Sequence, residues 1–203
     1  MPKDAIVYIV DDDEAIRDSM TALLSTAGLN AKAYSSGQEF LDGWSLEQRG
    51  CMVLDIRMPG MSGLELLEIM KSRNIPVPAI IMTAHGDVKI AVQAMKLGAV
   101  DFIEKPFNDD VMIESIREVI HREEQERIAE VQLNDYLEGL AQLTERERQV
   151  FEHLVQGDSN KIIAAGLEIS PRTVEIHRAR VLEKLQVKNQ AKLVKFAILA
   201  GLG

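Results

Sequence analysis

Apolar positions follow two rhythms along this chain. Up to about residue 106, short apolar runs alternate with stretches in which apolar residues recur every three or four positions. Ile6-Val-Tyr-Ile-Val10 is the first run, and it predicts a strand. Between Glu14 and Ala27, Ile16, Met20, Leu23 and Leu24 fall on one helical face, and Gly28 stops it. Ala31 to Tyr34 alternates weakly, as a strand does. Ser36 caps a helix carrying Phe40 and Leu41, and Cys51 to Leu54 is the next buried strand. Asp55 to Gly63 contains Pro59 and Gly60 and reads as a loop, and Leu64 to Ser72 reads as a helix stopped before Pro76. Ala79 to Thr83 is a strand. A helix capped by Asp87 reaches Leu97, Gly98 ends it, and Val100 to Ile103 is a fifth strand before Pro106. Apolar strands alternating with helices predict an α/β doubly wound, five-stranded parallel sheet. Strands apolar throughout fit burial on both faces.

The rhythm changes after Pro106. From Phe107 to Glu138 there is no Gly or Pro. Ile113, Ile116 and Ile120 mark an amphipathic helix, His121 to Arg127 is polar all round, and Ile128, Val131, Leu133, Leu137 and Leu140 restore apolar character. The expectation is one continuous helix through Arg122 toward Leu137, with Gly139 near its end. It serves as a solvated connector or as a dimerising seam, although its heptad pattern is imperfect. The last sixty residues read as short helices joined by tight turns. Thr144 caps a helix to Val155 with Glu147 as capping-box partner. Asn160 to Leu167 is a short helix, Ser170-Pro171 starts one that runs to Leu185, and Ala191 to Leu199 is the last. This is the pattern of an all-α helix-turn-helix module. The expected organisation is an α/β domain over residues 1–122, a helical linker over 123–142 and a helix-turn-helix domain over 143–203.

Composition removes several classes. Cys51 is the single cysteine among 203 residues, which excludes an intramolecular disulfide and a cysteine-based metal cluster within one chain. No apolar stretch approaches the ~18 residues of a membrane span, and no signal peptide precedes the first strand, so a cytoplasmic protein without a membrane partner is expected. The net charge of −9 taken alone argues against nucleic acid, but the charge is unevenly distributed. Residues 1–143 hold 13 Lys and Arg against 25 Asp and Glu, a net of −12, whereas residues 144–203 hold 10 against 7, a net of +3. Two surfaces of opposite sign suggest separate partners, and the basic one is compatible with DNA.

Ligands of an open α/β sheet bind outside the carboxyl ends of the strands. There the first strand delivers Asp11, Asp12 and Asp13, the third Asp55, the fourth Thr83, and the fifth is followed by Glu104, Lys105 and Pro106. Taken singly, each acid is a solvated loop residue or a helix cap, as Asp13 is expected to be. Together they would repel one another unless a divalent cation lay among them, and hard oxygen donors of this kind suit Mg²⁺. A carboxylate beside Mg²⁺ can attack phosphorus to give an aspartyl phosphate. Asp55, alone at the end of a central strand, is the best nucleophile. Asp11 and Asp12 then hold the metal, while Lys105 and Thr83 face the transferring oxygens. At the basic end, the helix Ser170-Pro-Arg-Thr-Val-Glu-Ile-His177 to Leu185 has Val174, Val181 and Leu185 at core spacing. Arg172, Glu175, Ile176 and Ala179 lie opposite, a face suited to a major groove. Arg178, Arg180, Lys161 and Lys188 are placed for phosphates, and His177 is expected to be packed rather than base-reading.

Residues 1 to about 122 resemble the receiver domain of two-component response regulators. The motifs are Val10-Asp-Asp-Asp13, Leu54-Asp-Ile-Arg-Met-Pro-Gly60, Met82-Thr-Ala84 and Glu104-Lys-Pro106, with the FixJ-type branch most similar. The resemblance implies a flavodoxin-like fold in which Asp55 accepts a phosphoryl group from a sensor histidine kinase. It implies Mg²⁺ held by Asp11 or Asp12, Asp55 and the Arg57 backbone carbonyl, and Lys105 paired with the phosphoryl group. It further implies a cis bond before Pro106, a switch made by Thr83 and Phe102 beside Ala84, and Arg57 and His85 placed where slow self-dephosphorylation is tuned. Residues 143–203 resemble the LuxR/FixJ-type helix-turn-helix through Leu143-Thr-Glu-Arg-Glu147, Gly157, Asn160-Lys161, Ile163-Ala164, Ile169-Ser170, Thr173-Val174, His177 and Lys184-Leu185. This implies base contacts from Glu175, Ile176 and Ala179 and phosphate contacts near Lys161, Thr173, Arg178 and Arg180. Two departures stand out. Gly166 sits in the short helix where a better helix former is usual, and Glu175 and Ala179 replace the lysines of some relatives.

The whole reads as a phosphorylation-dependent transcription regulator. It dimerises when phosphorylated, binds double-stranded promoter DNA and works as an activator with RNA polymerase. An aspartate-nucleophile phosphatase is the alternative. Its D-x-D-x-T/V motif is met by Asp11 and Asp13 but not by Ala15, and it has no use for a basic helix-turn-helix. A DNA-binding protein with a silent receiver-like half is the other, and the intact Asp, Thr and Lys set argues against it.

Overall fold

A computed structural model describes residues 5–45, 49–84 and 88–202. It divides into two compact units, Met1–Gln125 and Glu126–Gly203. The first unit alternates β1 (Ile6–Val10), α1 (Glu14–Thr26), β2 (Asn30–Tyr34), α2 (Gly37–Gly43), β3 (Gly50–Asp55), α3 (Gly63–Ser72), β4 (Ala79–Thr83), α4 (Val88–Leu97) and β5 (Asp101–Glu104), and α5 (Asp109–Ala141) follows. The five strands form one parallel sheet in the order β2-β1-β3-β4-β5. The winding direction reverses between β1 and β3, so the crevice beyond their carboxyl ends is the topological switch point.

Alternate residues of the central strands feed two cores, one on each face. Tyr8, Val10, Met52 and Leu54 pack with Phe40, Leu66 and Leu67. Ile9, Val53, Ile80 and Met82 pack with Leu24, Met112, Ile116 and Ile120. Tyr8 and Tyr34 both meet the Phe40 ring edge-on, at 5.6 and 5.5 Å between centroids. The edge strand β2 departs from the expectation of strands apolar throughout: Asn30, Lys32 and Ala33 are exposed and only Tyr34 is buried, because β2 pairs on one side only. β5 lies one residue later than its apolar pattern suggests. Val100 is already bonded to the Ala79 carbonyl at 2.9 Å, and the Asp101 carboxylate accepts from the Phe102 amide and the Ser115 hydroxyl. The cap assigned to Asp87 lies outside the described residues.

α5 is continuous and contributes to both units. Its first turns carry Met112 and Ile116 into the sheet's core. Its last turns are not only a connector: Leu133, Tyr136 and Leu140 pack into the core of the second unit. Gly139 lies two residues before the end of the helix at Ala141, as expected. A Cβ there would stand 2.2 Å from the Lys184 carbonyl oxygen, so the missing side chain is what lets α5 approach so closely. The second unit continues with α6 (Glu145–Val155), α7 (Asn160–Gly166), α8 (Pro171–Lys184) and α9 (Gln190–Leu199). Each starts on a side-chain cap, from Thr144, Ser159, Ser170 and Asn189 in turn. Val150, Leu154, Ile163, Val174, Val181 and Leu193 fill the core, and the Tyr136 hydroxyl donates to the Leu193 carbonyl at 3.1 Å. No helix among the described residues is long and apolar enough to cross a membrane.

Candidate functional sites

The sheet register assembles the acidic rim. Val10 pairs with Leu54, which brings Asp11 level with Asp55 one step further on. Asp55 pairs with Met82, and Thr83 pairs with Glu104, so Lys105 leaves the adjoining edge of the same rim. Asp11, Asp55 and Thr83 are buried, while Asp12 and Arg57 are exposed. With Ala84 and Lys105 they line a cavity of about 420 Å³. The Lys105 ammonium bridges the two buried carboxylates, 2.8 Å from Asp11 Oδ2 and 2.9 Å from Asp55 Oδ1. Burial of Lys105 opposes its charge, but the hydrogen bonds to Asp11 and Asp55 outweigh that and hold its pKa above the ordinary lysine value. The other carboxylate oxygens are held by backbone: Asp11 Oδ1 accepts from the Asp13 amide at 2.9 Å, and Asp55 Oδ2 from the Arg57 amide at 2.6 Å.

Gly63 opens α3 against the back of this site. A Cβ there would fall 2.3 Å from the Asp55 carbonyl oxygen, so only glycine lets the helix start close under the acid. The Lys105–Pro106 bond is cis. Phe102 is half-buried against the core on one face of the sheet. Among the described residues no three His, Cys, Asp or Glu side chains form a metal cage. The buried carboxylates of Asp11 and Asp55 and the exposed one of Asp12 line the cavity. This set fits Mg²⁺, which takes one or two carboxylates and keeps waters.

In the second unit α8 turns Val174 and Val181 inward, and Leu185, just past its end, joins them. Arg172, Glu175, Ile176, Ala179 and Arg180 are exposed on the opposite side, and Lys161 is exposed on α7. Two of the expected contact residues are partly engaged within the fold. Half-buried Arg178 donates to Asn160 Oδ1 at 3.3 Å, and the Thr173 hydroxyl lies 2.8 Å from that of Ser170. His177 is half-buried with its Nδ1 enclosed, as a packed histidine would be.

Residues 7–117 match the response regulator receiver domain, and residues 141–197 match the bacterial regulatory proteins of the luxR family. Over 196 residues the chain is 47% identical to the transcriptional regulatory protein FixJ of Bradyrhizobium diazoefficiens, covering 97% of this chain and 96% of that one. The response regulator protein TodT of Pseudomonas putida is 35% identical over 191 residues, covering 94% and 84%. Among solved structures, full-length FixJ from B. japonicum superposes with a TM-score of 0.61 at 46% identity over 98% of each chain. The response regulator StyR superposes at 0.77 with 36% identity over 97% and 99%.

The chain belongs to the response regulators. This response regulator joins a receiver to a LuxR-type DNA-binding domain, the architecture of a phosphorylation-dependent transcription regulator. The family is one of transcription factors and not of classical enzymes, which sets the phosphatase alternative aside. Its receiver implies a histidine kinase as partner and Mg²⁺ as cation, and its luxR-family domain implies DNA.

Pattern reasoning missed one residue at the acidic rim of this response regulator. Arg17, in the second turn of α1, donates from Nη1 to the Asp11 carbonyl at 2.8 Å and so anchors the acidic turn from behind. Its signal was position: six residues after Asp11, on the helix that Asp13 caps. His85 lies outside the described residues.

Proposed function

We propose that Asp55 accepts a phosphoryl group from the phosphohistidine of a sensor kinase. An Asp55 carboxylate oxygen bonds to phosphorus as the P–N bond breaks, and the imidazole leaves with the electron pair and takes up a proton. Asp11, Asp12, Asp55 and the Arg57 carbonyl would hold Mg²⁺, which neutralises charge on the transferring oxygens. Lys105 exchanges its carboxylate partner for a phosphoryl oxygen, the Thr83 hydroxyl donates to another, and Phe102 follows Thr83 inward. The observation that carries this reading is the Lys105 ammonium bridging Asp11 and Asp55 at the switch point.

The phosphorylated state favours a homodimer formed through the α4–β5–α5 surface. Two α8 helices then enter successive major grooves about one DNA turn apart. Lys161, Thr173, Arg178 and Arg180 lie near phosphates, Arg172 enters the groove, and Glu175, Ile176 and Ala179 face the bases. Working on promoter DNA in the cytoplasm, the dimer acts as an activator with RNA polymerase, and slow self-dephosphorylation resets it. The test is intact mass after incubation with Mg²⁺ and acetyl phosphate, for wild type and Asp55→Asn. One added phosphoryl group in wild type alone supports the reading. A label retained in Asp55→Asn overturns the assignment of the acceptor.

A further inference from the structure

The outer face of α8 has an unusual composition for a helix that approaches a polyanion. Arg172, Ile176, Ala179 and Glu183 follow one exposed stripe, with Glu175 on one flank and Arg180 on the other. Glu175 has arginines three residues away on both sides, at 172 and 178, yet carries no hydrogen bond or ion pair among the described residues. Arg178 has turned away to Asn160. The carboxylate therefore faces outward unneutralised, and Ile176 beside it leaves 48% of its surface in solvent.

A carboxylate among phosphates is repelled, so it binds favourably only where it meets a donor. In the major groove guanine offers two acceptors and thymine an acceptor and a methyl group. Adenine sets an acceptor beside its amino group, and only cytosine presents an amino donor alone. Ile176 and Ala179, three residues apart on the same face, form an apolar step of the kind that accepts a thymine methyl group. We infer that this regulator reads its operator with an acidic residue: Glu175 accepts from a cytosine amino group, and Ile176 with Ala179 packs on a thymine methyl at the neighbouring base pair. The inference rests on α8 being the DNA-reading helix, as proposed above.

The test is selection from a randomised duplex pool by the full chain, incubated with acetyl phosphate and Mg²⁺, as wild type, Glu175→Gln, Glu175→Ala and Ile176→Ala. Wild type is expected to enrich cytosine in one column of each half-site and thymine beside it. Glu175→Gln converts the cytosine column to adenine, because a carboxamide pairs bidentately with adenine. Glu175→Ala flattens that column alone, with loss of about tenfold discrimination, and Ile176→Ala flattens the thymine column. Enriched pools whose columns ignore both Glu175 variants overturn the inference and leave the DNA-binding reading standing. A wild-type pool with no enriched sequence overturns both. The substituted side chains are exposed, so folding is not at stake.

Discussion

Lys184, in the last turn of α8, donates to Glu147 Oε2 in the first turn of α6 at 2.7 Å. Glu147 is 3% exposed, and the same oxygen accepts from the Thr144 amide at 2.9 Å. The bond from Lys184 first, and that from Thr144 second, pull its pKa down from 4.5 to about 2. The folded pKa lies below the unfolded one, so this stabilisation is complete above about pH 4.5 and is lost as pH falls toward 2. Glu147→Gln keeps a capping-box side chain but removes the charge. The second unit is expected to lose about 1.5–3 kcal/mol at pH 7 and much of its acid sensitivity between about pH 4.5 and 2. Hydrogen exchange of α6 and α8 at those pH values checks this, and equal pH dependence in both proteins contradicts it.

Lys105→Ala leaves Asp11 and Asp55 facing one another without the ammonium between them. In EDTA the receiver is expected to lose about 1–3 kcal/mol, and Mg²⁺ is expected to raise its melting temperature more than it does in wild type. Scanning calorimetry with and without Mg²⁺ measures both. Equal Mg²⁺ shifts in the two proteins would show that Lys105 and the cation do not share the site.

Arg17→Ala frees the Asp11 carbonyl without touching a carboxylate. Mg²⁺ affinity is expected to fall about tenfold, as when an outer-shell partner of a ligand is removed, while the far-ultraviolet circular dichroism is unchanged. Titration calorimetry with Mg²⁺ reads it directly. Arg17→Lys should restore part of the affinity, which a general loss of packing would not allow.

Two helical glycines should respond in opposite directions to alanine. Gly139→Ala places a methyl 2.2 Å from the Lys184 carbonyl and is expected to destabilise the second unit by about 1–3 kcal/mol. At Gly166 the nearest atoms belong to the His153 ring, at 3.5 and 3.6 Å, an ordinary contact. Gly166→Ala should therefore stabilise α7 by up to about 0.5–1 kcal/mol. Urea midpoints of the two variants, compared with wild type, decide both signs.

The sequence made the sheet legible because β1 and β4 are apolar throughout and lead into chemically distinct residues, Asp11 and Thr83. Asp55 and Lys105 were legible as site residues for the same reason: strand ends and sheet order alone bring them to one rim. β5 was misplaced by one residue because what tolerates Asp101 in a strand is Ser115, fourteen positions away on α5. The place of Gly139 near the end of its helix was legible, but the reason for a glycine there, the backbone of Lys184 in another helix, was not. The bond from Arg178 to Asn160 was not legible, because it depends on how α7 and α8 cross. Periodicity records what one element does, and each of these facts belongs to two.

Tyr136 is fully buried, its ring 5.4 Å from that of Phe196 and its hydroxyl on the Leu193 carbonyl. This bears on where the protein can be cut. A DNA-binding fragment begun at Leu143, where the helix-turn-helix motif starts, would lack Tyr136 and Leu140 and present the vacated apolar surface to water. A fragment begun near Glu126 would carry its own plug. The autonomous unit of this regulator is therefore longer at its amino end than the motif it displays.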